Sequence, residues 1–396
     1  MRAQVPRSVH GEWRPPAARR DPAGMPERRA ASALGFFRGG AYAMAADLAA
    51  SPRTSLWTQL CGDAHLANFG AFAAPGRRRV FDLADFDETL PGPFEWDLKR
   101  LVASLAVAGR DRGFRDSQRR RVTMAAVRSY RDAMWRLARM GVIDAWYSRV
   151  DVAPVGATPI EQLPEEDDPD AVAQMLSGSI RRYGSTLPPH RRHLLDRLRY
   201  VHAARAGADA WIVLMLGRDD DDPVVLQLKP AAASVLEPFL GTSHYPSHGQ
   251  RVVEGQRRMQ AAGDLLLGWD RITAPDGVTR DVVIRQLWDR LGSIDVETMA
   301  PGTMRRHADL CGQALARAHA RAGDAAAIAG YMGSGDALPR ALADFAEAYA
   351  DQNQRDYEAM RTAPGMAALA DLPPETPRPG ARIAHRGERA DLHAST

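Results

Sequence analysis

The sequence predicts an α+β chain of two lobes, with a small β-rich lobe set between two mostly helical stretches. Three patterns predict it. Two pairs of β-branched, apolar runs flank a helical segment between residues 199 and 295, and apolar positions recur at helical spacing from "LKRLVASLAVAGR" to about Tyr147. The third is size: 396 residues, 45% of them apolar, suffice for a sizeable core and two lobes.

Taken in order, residues 1–30 are rich in Pro and Arg and read as an extended arm pinned at points such as Trp13. "NFGAFA", the turn "APGR" and "RRVFDLADFD" read as a hairpin that delivers Asp85 close to Asn68. Large-lobe helices follow to about Tyr147, and the Pro-rich, acidic "APVGATPIEQLPEEDDPD" reads as a surface linker. "AWIVLMLG", the acidic turn "GRDDDD" and "DPVVLQLK" form a hairpin with Lys229 on its second strand. "GQRVVEGQRRMQAAGDLLLG" carries Val252, Met259 and Leu266 at helical spacing, with Glu254 in its first turns. A second hairpin, "WDRITA"–"PDG"–"TRDVVIRQL", has a strong turn signal in its middle. "ALADFAEAYADQNQRDYEAM" reads as a helix, and the Pro-rich tail after residue 362 as loose.

Composition narrows the class. No apolar run approaches bilayer-spanning length, and the N-terminal stretch has arginines without an apolar core, so a cytoplasmic protein without membrane partners is expected. Cys61 and Cys311, the only two cysteines, are too few for a disulfide framework or a cysteine zinc site. A net charge of +3 is slight for this length, and the "RRR" runs at 77–79 and 119–121 read as solvated faces, so no specific nucleic-acid partner is expected. Of 52 basic residues only Lys99 and Lys229 are lysine. In so Arg-rich a chain, a retained Lys marks a place where a compact ammonium serves and a planar guanidinium does not.

Strand, strand with Lys, helix with Glu, strand, strand is the order of the small lobe of a protein-kinase-like fold, where the Lys holds the ATP phosphates and the Glu holds the Lys. "CGDAHLANFG" supplies the other half: Asp63 as the base or positioning carboxylate, Asn68 five residues later as a metal ligand, and Asp85 across the hairpin as the second metal ligand. Mg²⁺ takes oxygen ligands, and such a set would let it bridge the protein and the phosphates of ATP. Glu254 is the expected partner of Lys229, with Glu237 the alternative. His65 either holds the loop or shares in the chemistry, Asp97 buttresses the loop rather than binding metal, and Lys99 is structural, with a substrate phosphate contact as the alternative. Asp87 and Glu88 are either solvated or add a weak metal contact.

These motifs resemble the aminoglycoside phosphotransferase and choline-kinase branch of the kinase-like superfamily, whose loop H-G-D-x-H-x-x-N is matched by "CGDAHLAN" except at Cys61, with Asp97 twelve residues after Asp85. "VPRSVHGEW", "FFRGGAYAMAADL", "DFDETLPGPFEWDLKRL", "GQRVVEGQR" and "ALARAHARAGD" together resemble the bacterial family called domain of unknown function 2252, a likeness that gives kin and no substrate. The catalytic segment precedes the small lobe, and "CGQALARAHARAGD", like the helix that comes before the catalytic loop in the phosphotransferases, follows it. The expected fold is therefore a circularly permuted, bilobal protein-kinase-like one: large-lobe catalytic segment 31–198, nucleotide-binding lobe 199–295, large-lobe helices 296–362, loose tail 363–396. Cuts at exposed connections tolerate such rearrangement.

The resemblance implies an ATP- and Mg²⁺-dependent phosphotransferase acting on a hydroxyl of an unidentified small molecule or protein. Two departures weaken it. Where relatives have a Gly-rich loop, this chain has "HAARAGA", with Gly207 as the one glycine left to approach phosphates, and "WDRLGS" lacks a lysine relatives tend to have before Gly292. The rivals are a catalytically weak nucleotide-binding or scaffold protein, and nucleotidyl transfer on the same fold. A metallophosphoesterase, suggested by "GDAH", would need later G-D-x-x-D and G-N-H motifs, which the chain lacks.

Overall fold

The computed structural model describes residues 31–73, 79–151, 179, 182–206, 210–274, 277–287 and 296–362. The expected arm, linker and tail, Gly207 and "WDRLGS" lie outside the described residues.

Helices α1 (Ala33–Arg38) and α2 (Ala41–Ala49) precede β1 (Trp57–Leu60). A 3₁₀ turn at Leu66–Asn68 leads into the hairpin β2 (Phe69–Ala73) and β3 (Arg79–Leu83), followed by β4 (Leu90–Pro93). Helices α3 (Glu95–Asp111), α4 (Asp116–Ala138) and α5 (Val142–Tyr147) come next, then the short β5 (Val150–Asp151) and α6 (Pro189–Leu195). The stretch expected as the small lobe holds β6 (Arg199–Ala206), β7 (Ala210–Leu216), β8 (Pro223–Ala231), α7 (Glu237–Leu240), α8 (His248–Met259), β9 (Gly268–Thr273) and β10 (Thr279–Gln286). Helices α9 (Pro301–Ala322), α10 (Ala325–Met332) and α11 (Ala337–Thr362) complete the described chain. The fold is α+β.

The five small-lobe strands form one antiparallel sheet in the order β6-β7-β8-β10-β9. Alternation along its strands sorts the faces. Trp211, Val213, Leu226, Leu228, Val282 and Ile284 face a core shared with Tyr183, Leu187 and Leu195, so this core begins before residue 199. Register then places Ile212, Gln227, Lys229, Val283 and Arg285 together on the opposite face. Ser247 caps α8 by accepting from Gln250 N, and Val252, Val253 and Met259 of that helix join the larger core with α3, α4 and α9.

The helix expected through Leu266 stops at Met259. The chain turns extended at Gln260 (ψ 132°), and further on the Asp264 carboxylate accepts from Leu266 N at 2.7 Å and Gln286 N at 2.5 Å, fixing the entry to β9 with Leu266 in the small core. In the large lobe α4 and α9 pack closely enough that a Cβ on Gly312 would fall on Ala126 O. The β2–β3 hairpin pairs Phe69 with Leu83, and β1 pairs with β4.

Candidate functional site

The segment from Cys61 to Asn68 is held on three sides. Asp97, 1% exposed in the first turn of α3, accepts from Cys61 N at 2.8 Å and Gly62 N at 3.0 Å. His319 of α9 reaches the same carboxylate through Nε2 at 3.2 Å, while its Nδ1 lies 2.8 Å from the Tyr130 hydroxyl. Since the carboxylate only accepts, Nε2 carries a proton, and in the neutral imidazole Tyr130 donates to Nδ1. Asp97 thus buttresses the loop, the role expected of it. Leu66 N donates to Ser104 Oγ at 2.9 Å, and Leu66 O lies 2.9 Å from His307 Nε2. Gly62 has φ +87°, and a Cβ there would fall on Glu88 O, so this position needs glycine twice over.

The hairpin then brings the acidic groups together. Asn68 Nδ2 donates to Asp63 O at 3.0 Å and Asp85 O at 3.2 Å, and Ala84 N donates to Asn68 O at 3.0 Å. With both amide protons spent on the backbone, the Asn68 carboxamide oxygen is left to accept. The Asp63 carboxylate accepts from Arg100 Nε at 2.8 Å, with His65 Nε2 3.8 Å away. His65 is buried, its Nδ1 has no hydrogen-bond partner among the described residues, and burial pushes its pKa down to about 4.

Lys229 arrives from 144 residues away. Its ammonium lies 3.4 Å from Asp85 Oδ2 and 2.5 Å from Asp87 Oδ2. Lys229, Asp85 and Asp87 therefore meet side chain to side chain, while Asn68 is tied to this group through the main-chain carbonyls of Asp63 and Asp85. Burial works to raise the Asp85 carboxyl, but Lys229 and then Arg285 outweigh it and hold it below the ordinary carboxylate range. Burial, and next the charge on Asp85, push Asp87 upward. Burial works against the charged form of Lys229, and the two carboxylates overcome it and raise its pKa.

The expected Glu partner of Lys229 is corrected. Glu254 bonds Arg257 one turn along α8 at 2.9 Å, and Glu237 lies on α7, where it accepts from Ser234 N at 3.4 Å and approaches Arg251 Nε at 4.0 Å. The residue α8 sends toward the loop is Arg251, 1% exposed, donating to Thr89 O, Asp87 O and Ala232 O at 2.7–2.8 Å. The helix can approach because Gly255 lies against Thr89, where a Cβ would clash. Lys99 lies away from this cluster, its ammonium 5.5 Å from the Phe345 ring centroid.

Sequence reasoning passed over three arginines of the site. Arg100 binds Asp63, Arg251 binds the carbonyls beside Asp87, and Arg285 donates to Gln227 Oε1 at 2.9 Å and Ala84 O at 3.4 Å, tying the sheet to the residue before Asp85. Amid so many arginines none stands out, although Arg100 falls one helical turn after Asp97 and so shares its inward face.

The model of the family described as an uncharacterized protein conserved in bacteria, DUF2252, matches residues 20–178 and 157–363. The chain belongs to this family. The residues that build the cluster all fall within the matched segments, so the site is made from family sequence. No curated protein and no solved structure matches the chain.

Proposed function

We propose that this DUF2252 member is an ATP- and Mg²⁺-dependent phosphotransferase of the kinase-like kind, which moves the γ-phosphoryl group of ATP to a hydroxyl of a small molecule or protein. The observation that carries the reading is the meeting of Lys229 with Asp85 beside an Asn68 whose amide is pinned by Asp63 O and Asp85 O. The donor set suits a hard cation: the Asp85 and Asp87 carboxylates are 41% and 37% exposed, and the Asn68 amide protons are taken by main-chain carbonyls, which leaves its oxygen as an acceptor. Among the described residues no group of three or more His, Cys, Asp or Glu side chains could hold a metal ion by itself. Bound there, Mg²⁺ would neutralise charge on the phosphates.

The chain's own groups have distinct tasks. Lys229 holds the phosphates as a point charge, while Asp63, oriented by Arg100, aligns the acceptor hydroxyl and takes its proton as the new O–P bond forms and ADP leaves. Supporting the permuted order, Thr58 Oγ1 donates to His319 O at 3.1 Å, so the end of α9 lies against β1, the strand that leads into the loop. The same helix sends His307 and His319 to the loop and its buttress.

One pair of observations favours the weak-binding alternative. His202 to Ala206 continue as a strand paired with Ala210–Leu214 where a Gly-rich loop would cover phosphates, and Lys229 lacks its Glu. Thermal unfolding with ATP, with and without Mg²⁺, tests the reading, followed by mass analysis of the protein and of offered acceptors. A Mg²⁺-dependent stabilisation, lost in Lys229→Ala, and a phosphoryl gain on an acceptor are expected. An adenylyl gain would indicate nucleotidyl transfer instead, and no stabilisation with Mg²⁺ or Mn²⁺ overturns nucleotide binding.

A further inference from the structure

The face of the five-stranded sheet that bears Lys229 carries a second cation. Lys229 of β8 pairs with Val283 of β10, and Gln227, one same-face step back along β8, pairs with Arg285. Arg285 is therefore the diagonal cross-strand neighbour of Lys229, within reach of the same ligand. Its guanidinium is aimed by neutral groups: Nε donates to Gln227 Oε1 at 2.9 Å and Nη1 to Ala84 O at 3.4 Å, the carbonyl next to Asp85 in the chain. Neither partner cancels its charge. The bond to Ala84 O is long, and Nη2 has no hydrogen bond among the described residues, so both terminal nitrogens can turn to a ligand while Nε keeps its hold.

The carboxylates around this face are engaged elsewhere. Asp85 and Asp87, both partly exposed, close on Lys229 at 3.4 Å and 2.5 Å, and they are the groups a metal would take. Glu88 accepts from Val235 N at 2.6 Å, and Asp264 accepts from Leu266 N and Gln286 N. Among the described residues Arg285 forms no ion pair. The other arginine near the loop, Arg251, is spent on three carbonyls.

A polyphosphate bound here needs more than one cation. His202–Ala206 run as a strand paired with Ala210–Leu214, so that stretch is held in the sheet where a Gly-rich loop would fold over phosphates. Lys229 is a point charge that meets one oxygen at a time, whereas a guanidinium beside it presents a planar fork that grips two. We propose that Arg285 is a second phosphate-binding residue of this site, gripping two oxygens of the nucleotide's polyphosphate beside Lys229 where β6 offers no glycine loop. This rests on the nucleotide-binding reading above.

Mg²⁺-tripolyphosphate, which has phosphates and no base, is the probe, measured by titration calorimetry beside MgATP on the full chain. Both should bind the parent protein, and Arg285→Gln should raise both Kd values by about tenfold or more. Arg285→Lys, which keeps the charge and loses the fork, should fall between the two. The unliganded variants are compared by denaturant unfolding, since a residue that only ties β10 to Ala84 would lose affinity equally in both variants, in step with stability. In the parent, saturating Mg²⁺-tripolyphosphate should shield Arg285 from phenylglyoxal, read by peptide mapping, a measurement that needs no variant to fold. An unchanged MgATP Kd in Arg285→Gln, a loss for MgATP with none for tripolyphosphate, equal losses in the Lys and Gln variants, or an Arg285 as reactive with tripolyphosphate as without it overturns the proposal while nucleotide binding stands. A parent protein that binds neither MgATP nor tripolyphosphate would instead remove the reading on which it rests.

Discussion

The loop from Cys61 to Asp85 and the small-lobe elements facing it are built on different principles. In the loop, position follows from covalent spacing and backbone hydrogen bonds: Asp63 and Asn68 are five residues apart, Asn68 donates to carbonyls on both sides of the hairpin, and Asp97 clamps the entry. In the small lobe, position follows from how a helix and a sheet seat against the large core. Lys229 reaches the carboxylates from β8, and from α8, where Arg251 and Glu254 lie one helical turn apart, it is Arg251 that faces the loop while Glu254 bonds Arg257. A locally wired site keeps its geometry when its neighbours change. A docked one is open to substitution.

The sharpest way to break this comparison is to alter the loop by single atoms. On the proposed reading, Asp63→Asn should keep MgATP binding and lose turnover by about a thousandfold or more, and Asp85→Asn should lose Mg²⁺-dependent nucleotide binding itself, both with the fold intact. Equal MgATP affinity in Asp85→Asn and the parent, by titration calorimetry, would remove Asp85 as the metal ligand. Next in size is Asp97→Ala, which strips a buried acceptor from two amide donors and His319; denaturant unfolding should show a loss of about 3–5 kcal/mol. A loss under about 1 kcal/mol would mean that the loop does not depend on its clamp.

A smaller effect is set by pH. Because burial holds His65 at about 4, the folded protein binds fewer protons than the unfolded chain between about 6.5 and 4. The stability due to neutral His65 is complete above about 6.5 and lost as pH falls through that window. His307, also lowered by burial, adds to the loss. In His65→Gln the fall in stability over this range should become shallower. Smallest of all should be Glu254→Gln: it breaks a partly exposed pair with Arg257, so stability should change by about 0–1 kcal/mol and MgATP binding not at all. A marked loss of nucleotide affinity in that variant would bring Glu254 back as the partner of Lys229.

What was legible in the sequence divides along the same line. The hairpin carrying Asp85, the strand carrying Lys229 and the buttress at Asp97 were readable because alternation and short spacings determine them. The end of α8 was not, since "QAAGDLLLG" keeps helical spacing, whereas in the folded chain Gln260 is extended with its side chain on Leu83 O and Asp264 claims two backbone amides beyond it. Nor was the inward turn of Arg251, because an Arg at a helical core position is ordinarily read as surface, and its stabilisation comes from the carbonyls of Asp87, Thr89 and Ala232, which only the folded chain assembles.

The ammonium of Lys229 between Asp85 and Asp87 implies a thermodynamic coupling. In the proposed enzyme, a cation entering alone must draw both carboxylates from Lys229 and strand its charge, while phosphates entering alone take Lys229 and leave two adjacent carboxylates to repel one another. Either half-occupied state is penalised, and the penalty vanishes when both arrive. Metal and nucleotide should therefore bind with positive cooperativity, each strengthening the other by the same factor, so that the resting protein stays closed to free Mg²⁺ and to uncomplexed ATP and opens to the two as a pair.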